Sequence, residues 1–157
     1  MTFAIHPFGA EDWELMRALW LATLSDAPRA FGSSFEEERT FTESYWQARA
    51  SSGHSLWASD DGEPAGTVGV RPDEDGNQLM VWMWVVPAYR GSGVADLLVE
   101  AAVAMAAGRG SDSLRLWVET ENTAARKLYA RHGFEPTGRT EPMRGIPGRI
   151  QLEMVRR

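Results

Sequence analysis

The sequence predicts an α/β chain (α+β in layout): a mixed, mostly antiparallel sheet of about six to seven strands, its central pair, strands four and five, parallel, flanked by about four helices. Three stretches carry that expectation. Leu79–Val86 (LMVWMWVV) is apolar almost without a break, as suits a central strand covered on both faces, and Pro87, lacking an amide proton, ends its ladder. Val94, Leu97, Leu98, Ala101, Ala102 and Met105 then recur at helical spacing, and Leu114–Glu119 (LRLWVE) reads as a further strand. Strand, helix and strand at this spacing make a right-handed crossover, so strands four and five run parallel.

Thr2–Pro7 alternates well enough for a first strand. Glu11 and Asp12 favour a helix start, and Met16, Leu19, Trp20, Thr23 and Leu24 give that helix one buried face. Ser25-Asp26-Ala27-Pro28 marks its end, because the residue before a proline avoids helical angles. Ser25–Thr40 is then a long connection holding Phe31, Phe35 and the run Glu36–Glu38, which reads as a solvated face or a first helical turn. A second helix is expected over Thr42–Ser51.

His54–Ser59 and Ala65–Arg71 are extended runs about an Asp-Gly turn at Asp60–Glu63, a hairpin signal. Asp73–Asn77 turns the chain into the central strand, so strands two, three and four form an antiparallel meander. On that strand Trp82 and Trp84 are expected on one face, and Val81, Met83 and Val85 on the other. The following helix ends near Gly108. Asn122 is placed to cap the next one, where Ala125, Leu128, Tyr129 and His132 share a face before Gly133 stops it. Phe134–Gly138 begins strand six, Arg139–Gly148 is a loop rich in Gly, Pro and Arg, and Ile150–Val155 closes the sheet.

With 157 residues the chain is expected to be one domain over 1–157, without repeats or linker. Its hydrophobic content of 43% and charged content of 24% are those of an ordinary globule, and a net charge of −6 opposes binding to nucleic acid. The absence of cysteine excludes disulfides, a catalytic thiol and a cysteine-zinc site. His6, His54 and His132 lie on different elements without ligand spacing, so no metal site is expected. The first residues lack a signal-peptide layout, and no apolar stretch approaches the ~18 residues that span a bilayer. These features place the chain in the cytoplasm, away from membranes.

Between the central strand and its helix lies Arg90-Gly91-Ser92-Gly93-Val94-Ala95. The first amides of a helix have no internal partner and carry its positive end, so such a turn suits a diphosphate, with Arg90 adding a cation. Taken alone it is also an ordinary tight turn. A dinucleotide fingerprint needs a third glycine where Asp96 stands, and a P-loop needs Gly-Lys-Ser/Thr, whereas the only lysine is Lys127.

The stretch Val85–Ala95 resembles the acetyl-CoA motif Q/R-x-x-G-x-G/A of the GCN5-related N-acetyltransferases (GNAT), with Arg90, Gly93 and Ala95 at its fixed positions. Asn122–Tyr129 followed by Gly133-Phe134 resembles that family's second motif, at the expected distance. The resemblance covers about residues 1–155, the first third by pattern more than by residue. It implies a fold in which strands four and five splay, with the pantetheine of acetyl-CoA lying between them as a missing strand. Val85 and Val86 would offer backbone groups to that arm, one amide facing the thioester oxygen. Amides of Gly91, Ser92, Gly93, Val94 and Ala95 would cradle the diphosphate. Asn122 would reach the arm, Ala125 would leave space beside it, and Tyr129 would be the general acid at the sulfur.

Other readings of these residues stay open: Tyr129 as a core aromatic, Asn122 as a cap and nothing more, Trp82 and Trp84 as packing. For the general base the candidates are Glu119, a member of the Glu36–Glu38 run, or a water chain. Phe31, Phe35, Glu36 and Trp84 are the candidates for the acceptor pocket. The implied activity is direct transfer of an acetyl group from acetyl-CoA to a primary amine of a small molecule. A protein lysine or N-terminal acetyltransferase and a non-catalytic CoA-binding regulatory module are the alternatives. Homodimers are frequent among proteins similar to this one.

Overall fold

A computed structural model describes residues 1–28 and 34–157 of the chain. The strands are β1 (Phe3–Pro7), β2 (Ser55–Asp60), β3 (Glu63–Pro72), β4 (Gln78–Val85), β5 (Leu114–Glu119), β6 (Glu135–Pro142) and β7 (Ile150–Arg156). They form one sheet in the order β1-β2-β3-β4-β5-β7-β6. Every neighbouring pair is antiparallel except β4 and β5, which run parallel. The helices are α1 (Trp13–Asp26), α2 (Phe35–Glu38), α3 (Glu43–Ala50), α4 (Val94–Gly108) and α5 (Thr123–Arg131). Among the described residues, no helix is long and apolar enough to cross a membrane.

The sheet is covered on both faces, which is why its central strand is apolar throughout. On one side Val94, Leu98, Val99, Ala102 and Ala106 of α4 pack with Val68, Val70, Met80, Leu114 and Leu116 of the sheet. On the other, Met16, Leu19, Trp20 and Leu24 of α1 and Trp46 of α3 enclose Trp82 and Trp84. Both indoles are then tied to α1 one turn apart. Trp82 Nε1 donates to Thr23 Oγ1 at 2.9 Å, and Trp84 Nε1 donates to Asp26 Oδ2 at 2.9 Å.

Trp82 and Trp84 share a face as alternation requires, but Met80 lies on the opposite face from Trp82, which alternation forbids. A β-bulge is the reason. Val81 pairs with Gly69 and Trp84 with Thr67, so two residues of β4 face one of β3, and Trp82 takes a φ of 51°. Thr67 is fully buried, and its hydroxyl donates to the Trp82 carbonyl at 3.0 Å. That bond compensates for the local break in the ladder.

The bulge bends β4 away from β5, and their registered pairing is confined to Leu79 and Arg115. Past that point the facing edges of the two strands diverge. A second difference from expectation concerns β6, which runs on through Arg139 to Pro142 where a loop is predicted. Thr140, Glu141 and Pro142 pair with Leu152, Gln151 and Ile150 after a register shift at Gly138, whose φ is 92°. As the edge strand, β6 is mostly exposed, so it carries none of the alternating pattern that makes buried strands legible.

Candidate active site

The Val86 amide donates to the Ala65 carbonyl at 2.9 Å, which makes the adjoining Val85–Gly66 pair the non-hydrogen-bonded kind. The Val85 amide and carbonyl therefore point away from β3, into the opening between β4 and β5. Val85 and Val86 are expected to offer backbone groups there, one of them an amide; the N–H directed into the opening is that of Val85, because the β3 ladder already uses the Val86 N–H.

At the turn, Gly91 and Gly93 have φ of 80° and 91°, a region L residues rarely adopt, and Gly93 is the N-cap of α4. The Ser92 amide donates to Tyr89 O at 3.2 Å, and the Val94 amide is turned to Ser92 Oγ at 3.3 Å. The amides of Gly91, Gly93, Ala95 and Asp96 donate to no described residue. Free amides at the positive end of a 15-residue helix form a good anion cradle. Set against the expected run Gly91–Ala95, the free amides leave out Ser92 and Val94 and add Asp96.

The Asp96 side chain, an anion inside this cradle, is neutralised. Arg131 grips it with Nε at 2.9 Å and Nη2 at 3.1 Å, and His132 Nε2 lies 2.7 Å from Oδ1. The Arg131 and His132 hydrogen bonds hold the carboxyl down to about 2. His132 Nδ1 meets Glu100 Oε1 at 2.6 Å, so the residue after α5 is clamped between two acids of α4.

Asn122 caps α5, its Oδ1 accepting from the Ala125 amide at 3.1 Å. Its side-chain N–H groups have no partner among the described residues. Ala125 packs at the margin of the α4-side core. Tyr129 is 7% exposed, edge-on to Phe134 with ring centroids 6.0 Å apart, and its hydroxyl makes no hydrogen bond to a described residue. Burial pushes the phenol up to about 12.

On the face that carries α1, the residues differ more from expectation. Phe31 lies outside the described residues. Phe35 is exposed at the start of α2, and Glu36 faces solvent, paired with Arg39 at 3.1 Å. The inward glutamate of the run is Glu38, which accepts from Trp20 Nε1 at 3.0 Å. Helical geometry explains this: in a single turn from Phe35 to Glu38, only the last glutamate returns to the α1 side. Trp84 borders an open pocket of about 580 Å³ that also touches Asp26 and Val86. Glu119 ends β5 with Oε1 bonded to Arg149 Nη1 at 2.7 Å, and the same guanidinium meets Glu121.

Three functional candidates escaped the sequence reading. Asp26 accepts from Trp84 and Arg90, and these bonds hold its carboxyl below the usual carboxylate range. Arg115 and Glu153, joined at 3.1 Å, stand with Arg139 on the face of β5, β7 and β6 turned toward the α1 side. An arginine inside an apolar strand, LRLWVE, was the available signal for Arg115. Asp26 carried none beyond ending a helix.

A family model described as the acetyltransferase (GNAT) family matches residues 14–134. Mycothiol acetyltransferase of Arthrobacter sp. (strain FB24) is 31% identical over 140 residues, covering 82% of this chain and 41% of that protein. The chain spans less than half the length of the curated relatives it matches. A GNAT-family acetyltransferase from Streptococcus pneumoniae superposes with a TM-score of 0.74 over 99% of this chain and 98% of that one, at 25% identity. The fold is shared as well with yncA of Salmonella typhimurium, solved with its cofactor acetyl-CoA (TM-score 0.74, 99% and 93% covered, 18% identity). The matched residues contain the diverging strands, the amide cradle and the Asn122–Tyr129 segment, and this chain belongs to the acetyltransferase (GNAT) family.

Proposed function

We propose that the chain is an acetyl-CoA-dependent N-acetyltransferase that moves an acetyl group directly onto a primary amine of a small molecule. The observation that carries this reading is the divergence of β4 from β5 beyond Leu79 and Arg115, ending beside the free amides of Gly91, Gly93, Ala95 and Asp96. Together they offer an extended slot continuous with an anion cradle, the shape and charge of a pantetheine arm with its diphosphate.

Acetyl-CoA, as co-substrate, supplies the acetyl group already activated as a thioester. The Val85 amide donates where negative charge develops on the carbonyl oxygen. Asn122 holds the arm through its free N–H groups, and Tyr129 hydrogen-bonds the departing sulfur. An alkylammonium has a pKa near ~10.4 and must lose a proton before it attacks. Glu119, at the end of the diverging strand and with no partner for Oε2 among the described residues, takes that proton.

A small acceptor is favoured by Arg149, whose ion pairs with Glu119 and Glu121 tie the chain before β7 to the end of β5 rather than leaving an open groove for a peptide. The test is calorimetry with acetyl-CoA, followed by thiol release across free amines and lysine- or N-terminus-bearing peptides. Micromolar binding with turnover on free amines is expected. Peptide-only turnover would support protein acetylation, binding without turnover a regulatory module, and no heat at millimolar acetyl-CoA would end the assignment.

A further inference from the structure

Asp26 is an anion in the last turn of α1, where the helix dipole disfavours negative charge, and no basic residue of that turn offsets it. Helix stability therefore does not explain it. Its two donors, Trp84 Nε1 and Arg90 Nη2, both bind Oδ2, leaving Oδ1 without a partner among the described residues. The half-buried carboxylate borders the open pocket whose other walls include Leu19, Ser25, Pro64, Trp84, Val86 and Pro87, a mostly apolar surface at the end of β4.

Arg90 immediately precedes the anion cradle, yet its guanidinium is directed across the sheet to Asp26. Two anions thus have a claim on one cation. An ion pair half open to water is weak, whereas a diphosphate already held by free amides offers more charge and several acceptor oxygens. Once Arg90 turns to the diphosphate, Asp26 keeps only the indole N–H. A carboxylate facing an apolar pocket then needs a new cation.

We propose that Arg90 exchanges Asp26 for the diphosphate of acetyl-CoA, and that the carboxylate so released anchors the ammonium group of the acceptor. This rests on the acetyl-CoA reading above and adds to it an acceptor class: a cationic amine with a small apolar body. It also makes Asp26 a specificity-determining residue. Because Asp26 is held in its charged form by Trp84, it anchors the ammonium rather than removing its proton. Cofactor and acceptor are coupled through one side chain, so each strengthens the binding of the other by the same factor.

The test is calorimetry with CoA and steady-state transfer to 2-phenylethylamine, on the wild type, Asp26→Asn, Asp26→Glu and Arg90→Gln. In Asp26→Asn, CoA should bind as tightly as in the wild type or up to about fivefold tighter, since the competing charge is gone. The KM for 2-phenylethylamine should rise about tenfold or more, the loss falling on KM rather than kcat, and Asp26→Glu should recover most of it. Arg90→Gln should weaken CoA by about fivefold to tenfold without raising the KM for the amine. Weaker CoA binding in Asp26→Asn, or an unmoved KM for the amine there, would overturn the exchange while leaving the acetyl-CoA reading intact. No transfer to 2-phenylethylamine by a wild type that acetylates anionic amines would overturn the acceptor class. Failure of the wild type to bind CoA would overturn the cofactor reading, and this proposal with it.

Discussion

Replacing Tyr129 by Phe removes one oxygen from a buried ring, and the structure sets what that oxygen is worth. The hydroxyl bonds to no described residue, so its loss strands no protein partner, and folding stability should move by less than about 0.5 kcal/mol. Truncation to Ala would instead open a cavity and cost about 3–5 kcal/mol, confounding any activity measurement. A phenol pushed up to about 12 stays protonated at every working pH, so it always arrives as a donor. Against a thiol of pKa ~8.5, full proton transfer from such a phenol is uphill by several pKa units, about 5 kcal/mol. In the proposed reaction Tyr129 would therefore act as a hydrogen-bond donor to the leaving sulfur, with an effect at or below the lower part of the general-acid range. Tyr129→Phe should lower kcat by about tenfold to a hundredfold, or ~1.4–2.7 kcal/mol, with CoA affinity unchanged. Stopped-flow thiol release and CoA calorimetry measure the two quantities. The alkaline limb gives an independent check. The folded pKa lies above the unfolded value of 10.0, so the stabilisation is complete below about pH 10 and lost toward pH 12. That loss, roughly 2–3 kcal/mol, should vanish in Tyr129→Phe. A kcat within twofold of wild type would refute the assignment of Tyr129 to the reaction.

Three further outcomes follow from the geometry. Gly93→Ala meets no atom within 4 Å, so its cost is backbone strain at φ 91°, about 1–2 kcal/mol by denaturant titration, with CoA binding weakened about tenfold as the cradle distorts. Thr67→Val deprives the buried Trp82 carbonyl of its side-chain donor and should cost about 1–3 kcal/mol; a loss under 0.5 kcal/mol would show that the bulge does not depend on it. Asp96 has its folded pKa depressed to about 2 from 3.8, so its stabilisation is present above pH 4 and lost as pH falls toward 2. Because that side chain is 35% exposed, the discounted amount is at most about 1 kcal/mol, and acid titration of Asp96→Asn should lack this part of the loss.

The elements that the sequence made plain are those whose residues answer to local rules. Leu79–Val85 announced a doubly covered strand by composition, Val94–Met105 a helix by period, and Gly91 and Gly93 a turn needing positive φ. Thr42 and Asn122, both now seen capping helices, are local as well. The edge strand β6 was harder, because an exposed strand with two prolines has no buried face to impose alternation. On the α1 face the differences from expectation share a cause. Which glutamate of Glu36–Glu38 turns inward depends on where a four-residue helix begins, and Asp26 matters only because Trp84 and Arg90 reach it from 58 and 64 residues away.

By itself, then, the chain's order of residues determined the family, the parallel pair and the glycine turn after β4, since each is read from local patterns and their spacing along the chain. Tertiary structure decided which amides are free and which carboxylate meets which cation. A peptide N–H is identical in Val85 and Val86 until β3 takes one of them. Whether a charge is paired is likewise settled by distant strands and helices brought into contact.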